Sequence, residues 1–498
     1  MKLAEDLRAS LDVFLAGGTV EIRESGSRMS PVGKLLWEVR GAENKPLLHL
    51  WSENCNVTRR VLAIADQSDD CLALAVERFG KTKPDRLVIM RRDYARSPRK
   101  LSREEYCEQL RRILAEQFPD ETLEKISIAA DLEHSLSRVY ARGISRRGTA
   151  SFAFLAVSEA ESMDAVESSL TYALLWLERA RQSQHGNRIC ALRLILPQGK
   201  SSALAYRLAA IDPRLTVQIF ELDPLREVLE RINPTNDGNV MTALVPRRET
   251  QLLLDRAEAA IAPVVALAPR SIRVHASATR EVHLRFNGLT FARWQDGNVL
   301  FGLEGPEQEL TPATGKALRQ LIAKLGAYRH PQASDLRHPW FRAQAERWMQ
   351  SVILDDVSRV DVSLDPAHVY EQVFAQGGGQ HGIIDLLCVT RGRRLAILEL
   401  KATENLNLPL QAADYYSRVR QHLAEGNLAR YGYFTGLELQ QTPPLVYLVA
   451  PALRFHPSTD DLLHYLAPEM EVIRVGLAEN WRCAVRVVMR QKGDGREN

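Results

Sequence analysis

The stretch 368–402, HVYEQVFAQGGGQHGIIDLLCVTRGRRLAILELKA, decides the fold of the C-terminal part of this chain. Three runs rich in β-branched and other apolar residues, 368–375, 382–390 and 395–402, predict three strands. The first connection contains three consecutive glycines, and the second is the basic turn 391–394. Because both connections are short, neighbouring strands have to run antiparallel. The stretch therefore predicts a three-stranded antiparallel meander.

Three charged residues interrupt two of these apolar strands. Side chains alternate between the faces of a strand, so Glu399 and Lys401 share a face with Leu395 and Ile397. Asp385 breaks the neighbouring apolar run 383–387 in the same way. Burying a charge is costly unless it is paired or binds an ion. A cross-strand pair on the surface does not explain the apolar neighbours on both faces, and a shared site does.

Two carboxylates beside a lysine suit the hydrolysis of phosphodiester bonds. Carboxylate oxygens are hard ligands that hold Mg²⁺ and leave positions open for phosphate and water. The ion lowers the pKa of that water and screens the charge that develops on phosphorus. A neighbouring ammonium group can orient the water or stabilise the negative transition state. The pattern therefore predicts a metal-dependent site for phosphoryl chemistry.

Asp385, thirteen intervening residues and then Glu399-Leu400-Lys401 resemble the motif of the PD-(D/E)XK nuclease superfamily. The residue before the aspartate is Ile384, where the motif's name has proline. The resemblance covers roughly 335–485 and implies a restriction-endonuclease-like mixed sheet flanked by helices. It also implies cleavage of DNA, or less often RNA, with Mg²⁺ or Mn²⁺. In that scheme Asp385 and Glu399 hold the metal, and Lys401 assists the attacking water.

Further residues of the resemblance lie on two predicted helices. Gln411 and Tyr415 share one helix face and resemble the Q-x-x-x-Y element of RecB-like members, which implies that they orient substrate or the lysine. A half-buried helix face explains this pair nearly as well. Glu346, in the helical segment 345–357, is the best match to an additional metal-binding glutamate, with Glu371 as its competitor. A solvated helix charge is the simpler explanation of Glu346.

The fold class predicted for the whole chain is α/β of the α+β type, with a second α/β unit before the nuclease-like domain. Around this unit the sequence predicts short strands in the first hundred residues and a linker at 255–272 that contains two prolines. A helix is predicted near 224–232. The α/β region at 101–255 is also a candidate for a degenerate nuclease-like core. The predicted domains are a β-rich domain at 1–100, an α/β domain at 101–255, a linker with a small β-hairpin and helix region at 256–335, the nuclease-like domain at 336–490 and a disordered tail at 491–498.

Composition excludes several classes of protein. The 498 residues are 45% hydrophobic and 26% charged, as in ordinary globular proteins. No window offers the roughly 20 uncharged apolar residues of a membrane span, and the first eighteen residues predict an amphipathic helix rather than a signal peptide. The six cysteines are scattered without a C-x-x-C pair, which favours a reducing cytoplasm. The chain has no H-E-x-x-H, G-x-x-x-x-G-K-[ST] or G-x-S-x-G motif, which disfavours a zinc hydrolase, an ATP-driven motor and a serine hydrolase.

The net charge is only +3, so any surface that binds nucleic acid has to be a local one. The strongest basic run, 81–103, holds nine Lys or Arg against two Asp, and within it Arg96, Arg99 and Lys100 are predicted to contact phosphates. Arg391, Arg393 and Arg394 form an alternative basic group. A third cluster, at 138–147, interleaves arginines with Tyr140. A solvated loop explains the longest run equally well.

Together these patterns predict a cytoplasmic, Mg²⁺- or Mn²⁺-dependent nuclease that acts on nucleic acid, with DNA favoured, and that has no membrane partner. The alternative is a non-catalytic nucleic-acid-binding or scaffold protein built on a nuclease-like fold. The two differ in whether Asp385, Glu399 and Lys401 converge around an open cleft or are tied up by other side chains.

Overall fold

The computed structural model has a mixed α/β fold, which confirms the predicted α+β class. Two compact units emerge, Met1–Ala205 with Thr216–Val240 and Tyr206–Leu215 with Met241–Asn498. Among the described residues, no helix is both long and apolar enough to cross a membrane. The structure describes residues 2–15, 20–24, 27–29, 35–40, 45–52, 55–68, 71–77, 85–91, 101–131, 135–183, 188–223, 227–233, 242–277, 280–377 and 380–493.

The first unit begins with a helix, α1 (Lys2–Leu15), and an antiparallel sheet in the order β2-β1-β7-β6-β5-β4-β3. Leu7 and Leu11 of α1 are buried against the apolar face of this sheet, so the predicted amphipathic helix is confirmed. The strands predicted at 34–40, 46–51, 58–64, 71–78 and 86–92 are confirmed. They are β3 (Leu36–Arg40), β4 (Leu47–Ser52), β5 (Cys55–Gln67), β6 (Cys71–Glu77) and β7 (Asp85–Arg91). Two further strands, β1 (Val20–Glu24) and β2 (Ser27–Met29), were not predicted.

The second sheet of this unit has the order β13-β12-β11-β10-β9-β8. β9 and β10 are antiparallel, β10, β11 and β12 are parallel, and β13 is antiparallel to β12. Ser102 and Glu105 form a capping box at the start of α2. The elements are α2 (Arg103–Gln117), β8 (Thr122–Leu123), β9 (Tyr140–Arg147), β10 (Ala150–Val157), α3 (Met163–Ser183), β11 (Arg188–Pro197), a 3₁₀ turn (Ser201–Leu204), α4 (Ala205–Leu208), β12 (Val217–Asp223) and β13 (Val228–Ile232).

The helix predicted near 224–232 is wrong, because 228–232 form strand β13. Leu, Glu and Arg favour a helix locally, but pairing with β12 overrides this preference. Leu229 is buried between the exposed residues Val228 and Glu230, which is the alternation of an edge strand.

The second unit starts with β14 (Thr242–Leu244), α5 (Arg247–Val265) and a small antiparallel sheet. The linker predicted at 255–272 is therefore wrong over its first eleven residues, which are helical as far as Val265. Ala257, Ile261 and Val264 are buried at helical spacing against this sheet, and Pro263 lies in the last turn of the helix. The strands of the small sheet are β15 (Ile272–Ala276), β16 (Val282–Phe286), β17 (Leu289–Gln295), β18 (Asn298–Phe301) and β19 (Gln308–Glu309).

The large sheet of the second unit has the order β14-β20-β21-β22-β23-β24-β25. The predicted meander β20-β21-β22 is confirmed, and β23 and β24 add parallel strands beside β22. The remaining elements are α6 (Gly315–Tyr328), α7 (Pro339–Arg342), α8 (Ala345–Asp355), a 3₁₀ turn (Val357–Arg359), β20 (Leu364–Gly377), β21 (Gln380–Thr390), β22 (Leu395–Leu400), α9 (Leu408–Ala424), α10 (Asn427–Arg430), β23 (Leu445–Pro451), a 3₁₀ turn (Ala452–Arg454), α11 (Thr459–Leu463), β24 (Val472–Leu477) and β25 (Val487–Lys492).

Two predicted boundaries differ from the structure. The tail predicted to be disordered from 491 begins inside β25, where Gln491 pairs with Arg474 and Lys492 with Ile473. The boundary predicted at 255 lies inside α5, and the second unit already includes β14 and the segment 206–215. The first difference arises because the chain continues as an edge strand beside β24, and the second because β14 pairs with the distant strand β20.

Arg329, at the end of α6, joins two segments of the second unit that are far apart in sequence. Its side chain is fully buried, and its guanidinium donates to the carbonyl oxygens of Phe286 and Asn287, each at 3.0 Å. It also donates to the carbonyl oxygens of Trp340 and, at 2.8 Å, of Ala343. These bonds hold the chain that enters α8 against the small sheet.

We predict that Arg329→Lys destabilises the protein by at least about 3 kcal/mol, because a single ammonium cannot satisfy the carbonyls that a guanidinium fork reaches. The exposed Arg319→Lys on the same helix is the matched control, with an expected change within about 0.5 kcal/mol. Urea unfolding followed by tryptophan fluorescence measures both. Equal stability of the two variants contradicts the role given to Arg329.

Candidate active site

Asp385 lies where β21 and β22 stop pairing. The regular ladder between these strands ends at the pair Leu386 and Leu398. One residue further, Asp385 Oδ2 accepts a hydrogen bond of 2.9 Å from the backbone N–H of Leu400. The carboxylate thus replaces a backbone acceptor, which explains why an aspartate is compatible with an apolar strand.

Glu399 and Lys401 lie beside Asp385, as the sequence predicts. Glu399 is only 2% exposed, and its Oε1 accepts a hydrogen bond of 2.9 Å from Lys401 Nζ. Its Oε2 is buried and has no hydrogen-bond partner among the described residues. The carboxyl group of Asp385 is near enough for its charge to act on Glu399. A buried oxygen without a partner is costly, so this position is suited to an added ligand.

Burial and mutual repulsion perturb all three groups. Burial raises the pKa of Glu399, and the Asp385 charge raises it further. Burial also raises the pKa of Asp385, against the opposing effect of Lys401. Burial alone would lower the pKa of the Lys401 ammonium, but the two carboxylates raise it overall. The site therefore combines two carboxyl groups that resist ionisation with an ammonium that keeps its proton.

Helix α9 packs on the face of β22 that carries Glu399. Burial raises the pKa of Tyr415 well above its ordinary value, and the charges of Glu399 and Asp385 add to this effect, so the phenol is within electrostatic reach of the acidic pair. Gln411 lies one turn earlier, and its Oε1 is buried without a hydrogen-bond partner in the described part of the chain. The structure therefore brings Tyr415 to the site and leaves a polar atom of Gln411 available.

Helix α8 contributes charge to the same site. Glu346, in its first turn, acts on both Asp385 and Lys401, raising the pKa of each. Burial lowers the pKa of Arg347, and the Asp385 charge opposes this. Of the two glutamates that the sequence offered as an additional ligand, Glu346 is thus the one whose charge acts on the acidic pair.

Glu371 is engaged elsewhere. Its Oε2 accepts a hydrogen bond of 3.2 Å from Gln350 Nε2, and its Oε1 lies 3.6 Å from His275 Nδ1. Burial acts to raise the pKa of Glu371, but the interaction with His275 and nearby positive charges lower it overall. It is paired across from Leu386, whose side chain faces α8, so it lies on the other face of the sheet from Asp385.

Sequence reasoning missed Gln350, which supports the backbone at the site. Its Nε2 also donates to the carbonyl oxygen of Asp385, at 3.3 Å, and its Oε1 accepts from Gln372 Nε2, at 3.3 Å. Gln372 has a positive φ of 46° and interrupts the ladder between β20 and β21 opposite Asp385. A glutamine on an apolar helix face was the only sequence signal, and it does not reveal these partners.

The basic groups predicted to bind nucleic acid are not brought to the acidic pair. Arg96, Arg99 and Lys100 lie outside the described residues. The turn that holds Arg391, Arg393 and Arg394 precedes β22, so Arg394 is five residues from Glu399, or about 17 Å along the strand. Arg394 is also bound to Pro443 O at 2.7 Å and to Glu471 Oε1 at 2.6 Å.

The 138–147 cluster, offered as a phosphate-binding surface, is partly internal. Arg142 is 3% exposed, and its guanidinium donates to the carbonyl oxygens of Ala129, Ser137 and Tyr140. This arginine therefore satisfies the backbone of its own sheet and is not accessible to phosphate.

The sheet β8–β13 repeats the connectivity of the large sheet without the acidic pair. The hairpin β9-β10, the parallel strands β11 and β12 and the antiparallel β13 correspond in order to β21-β22, β23, β24 and β25. Strands β11 and β23 both end in a proline, Pro197 and Pro451. With these prolines matched, the strand pairings place Arg142, Leu155 and Val157 at the positions of Asp385, Glu399 and Lys401. Carboxylates are therefore absent from the equivalent positions of this sheet.

The donors at the site fit a divalent cation that prefers oxygen. Asp385 and Glu399 offer adjacent carboxylates, and Glu399 Oε2 is buried without a partner among the described residues. In the same part of the chain, however, no group of three or more His, Cys, Asp or Glu side chains is arranged to hold a metal. The two carboxylates are thus the acidic ligands that the site itself provides. The sequence matches no protein-family model and no curated protein.

We predict that Asp385→Asn, measured in EDTA, is neutral or stabilises the protein by up to about 2 kcal/mol. The folded state raises the pKa of Asp385, so wild-type stability falls as pH rises from the ordinary carboxyl range through this raised value. Asparagine keeps the acceptor for Leu400 without the charge. The gain should therefore be smallest near pH 4 and increase toward pH 8 in thermal melts.

The matched control is Asp361→Asn in the same unit. Burial acts to raise the pKa of Asp361, but hydrogen bonds from Ser363 and Tyr447 lower it overall, so its charge stabilises the fold once pH exceeds the ordinary carboxyl range. This variant should lose about 2 kcal/mol at pH 7. A comparable loss in Asp385→Asn would mean that Asp385 serves a structural pair.

Proposed function

We propose that this protein is a metal-dependent nuclease that hydrolyses phosphodiester bonds of nucleic acid, with DNA as the favoured substrate. The proposal assigns the C-terminal region to a PD-(D/E)XK-like domain. The observation that carries it is the convergence of Asp385, Glu399 and Lys401, with one buried carboxylate oxygen lacking a partner among the described residues. Buried polar atoms are usually hydrogen-bonded, so an oxygen of this kind beside a second carboxylate supports an added ligand at the site.

The residues have distinct roles in this proposal. Asp385 and Glu399 hold Mg²⁺ or Mn²⁺, and Glu346 adds negative charge to the same site. When bound, the ion supplies Lewis acidity and lowers the pKa of water. Lys401 keeps its proton, because the two carboxylates raise its pKa, and so it presents N–H donors to the attacking water or to the phosphate. Tyr415 and Gln411 position substrate or the lysine.

The proposed location is the cytoplasm. Among the cysteines whose side chains the structure describes, four are free thiols: Cys107, Cys190, Cys388 and Cys483. Free thiols persist in a reducing compartment.

A non-catalytic nucleic-acid-binding or scaffold protein on the same fold is the second candidate. One observation favours it: in the described part of the chain no third acidic or histidine ligand joins the pair Asp385 and Glu399. Against it, the hydrogen bonds of these carboxylates come from Leu400 N–H and Lys401, and none from an arginine is found among the described residues. Activity therefore separates the two candidates.

We predict that Asp385→Ala, Glu399→Ala or Lys401→Ala each lowers Mg²⁺-dependent cleavage by at least about a thousandfold. Groups that act as a unit are non-additive, so the triple variant should be little worse than any single one. Labelled single- and double-stranded DNA and RNA, incubated with Mg²⁺, Mn²⁺ or EDTA, measure this. The exposed Glu438→Ala is the control and should cleave as the wild type does. Cleavage that survives Glu399→Ala overturns the assignment.

A second prediction separates the two candidate glutamates. Glu346→Gln should raise the Mg²⁺ concentration needed for half-maximal cleavage by about ten- to a hundredfold, because it removes a charge that acts on Asp385 and Lys401. Glu371 lies on the face of the sheet opposite Asp385, and glutamine can still form hydrogen bonds there. The Mg²⁺ dependence of Glu371→Gln should therefore match that of the wild type. The opposite pattern would transfer the role to Glu371.

A further inference from the structure

Three aromatic rings form a partly exposed cluster just before α8. Tyr328 stacks on His338 with ring centroids 4.0 Å apart and planes 12° apart, and Trp340 meets both rings edge to face. Tyr328 is 38% exposed, and the other two rings are half-buried. We call Tyr328, His338 and Trp340 the aromatic platform. His338 covers one face of Tyr328, and the exposed part of that ring is left for a ligand.

The platform is held rigidly. His338 Nδ1 accepts a hydrogen bond of 3.2 Å from the backbone N–H of Trp340, which fixes the imidazole. Arg329, the residue after Tyr328, is bound to the carbonyl oxygen of Trp340 and so ties the end of α6 to the segment carrying the other two rings. A rigid aromatic surface loses little conformational entropy when a ligand stacks on it.

The segment that carries the platform is rich in positive charge. The segment 312–344 contains six Lys or Arg and a single acidic residue, Asp335, and Arg329 is the one buried member of these six. Lys324 is one helical turn before Tyr328, and Arg337 and Arg342 flank the other two rings. These three cations are exposed, and none forms an ion pair with another described residue. Asp335 Oδ1 accepts a hydrogen bond from the backbone N–H of Arg337, at 2.9 Å.

We propose that the aromatic platform and its three cations bind single-stranded nucleic acid, with an unpaired base on Tyr328 and the adjoining phosphates on Lys324, Arg337 and Arg342. Aromatic rings beside basic side chains match the alternation of base and phosphate in a single strand. In a duplex both faces of each base are already stacked, so an exposed ring gains little from it. The inference rests on the proposed nuclease function and names its substrate class.

The chain connects this surface directly to the candidate active site. Arg329 also binds the carbonyl oxygens of Ala343, at 2.8 Å, and Gln344, at 3.4 Å, the last two residues before α8. Gln344 has a positive φ of 47°, which turns the chain into the helix. Glu346 then acts on Asp385 and Lys401. A nucleic-acid strand bound to the platform is thus held by the segment that leads directly into α8, which carries Glu346.

The test measures binding of fluorescently labelled oligothymidylate, oligouridylate and a duplex of equal length to the full-length protein in EDTA, where cleavage is absent. Wild type should prefer single strands, and the two single-stranded probes separate DNA from RNA. Tyr328→Ala should weaken single-strand binding by roughly five- to a hundredfold, the range for losing one stacked base, without changing the salt dependence. A preference for duplex, or unchanged affinity of Tyr328→Ala, overturns the proposal.

A charge-matched pair of variants tests the cations. Arg337→Ala with Arg342→Ala should flatten the slope of log affinity against log salt by about 1.4, because each phosphate contact on a single strand contributes about 0.7. Lys316→Ala with Arg319→Ala removes the same charge from other faces of α6 and should leave the slope unchanged. Equal slopes in the two double variants overturn the role of the cations.

Cross-linking to wild-type protein avoids any effect of substitution on folding. Oligonucleotides carrying 5-iodouracil should cross-link to peptides containing Tyr328, His338 or Trp340, and cross-links confined to other peptides overturn the proposal. The binding and cleavage measurements test the two proposals separately. Single-strand binding without Mg²⁺-dependent cleavage would refute only the nuclease function, whereas cleavage with unchanged binding by Tyr328→Ala would refute only the platform.

Discussion

The hydrogen bond from Leu400 N–H to the Asp385 carboxylate is the contact around which the candidate site is built. It ends the ladder between β21 and β22 and holds one carboxylate within the sheet, beside the buried Glu399. The buried carboxyl groups of Asp385 and Glu399 resist ionisation, and the positive charge of Lys401 offsets this only in part, so the pKa of each carboxyl group stays raised. The helices α8 and α9, which pack on the two faces of this sheet, hold the buried carboxyl groups in place.

Support for the arrangement comes from both faces of the sheet. On one face α9 supplies Tyr415 and covers β22 with buried residues such as Ala412 and Tyr416. On the other, Gln350 of α8 donates to the carbonyl oxygen of Asp385, and Trp348 packs into the apolar core. Side chains held by packing and by second hydrogen bonds keep a site in one geometry. Packing and hydrogen bonds from both helices therefore offset the unfavourable electrostatic energy of the two buried carboxyl groups.

The comparison of the two α/β sheets shows how little of this depends on the fold alone. The sheet β8–β13 has the same connectivity, but Arg142 occupies the position of Asp385 and binds backbone carbonyls instead. Leu155 and Val157 take the remaining positions, and the strand ends are then apolar. One backbone plan thus accommodates either a buried arginine or a buried acidic pair, and function has to be argued from the site and not from the fold.

The meander, its alternating faces and the proximity of Asp385, Glu399 and Lys401 could be predicted from local pattern, because they follow from strand period and short connections. Other elements depend on tertiary contacts, because distant partners override their local preference, as in the strand at 228–232 and the helix that replaces most of the predicted linker. The same holds for Gln350, and for Tyr328 and His338, which lie ten residues apart and stack where Arg329 binds the carbonyl oxygen of Trp340. Periodicity reports which face a residue takes, whereas hydrogen bonds between distant segments depend on packing that no local pattern encodes.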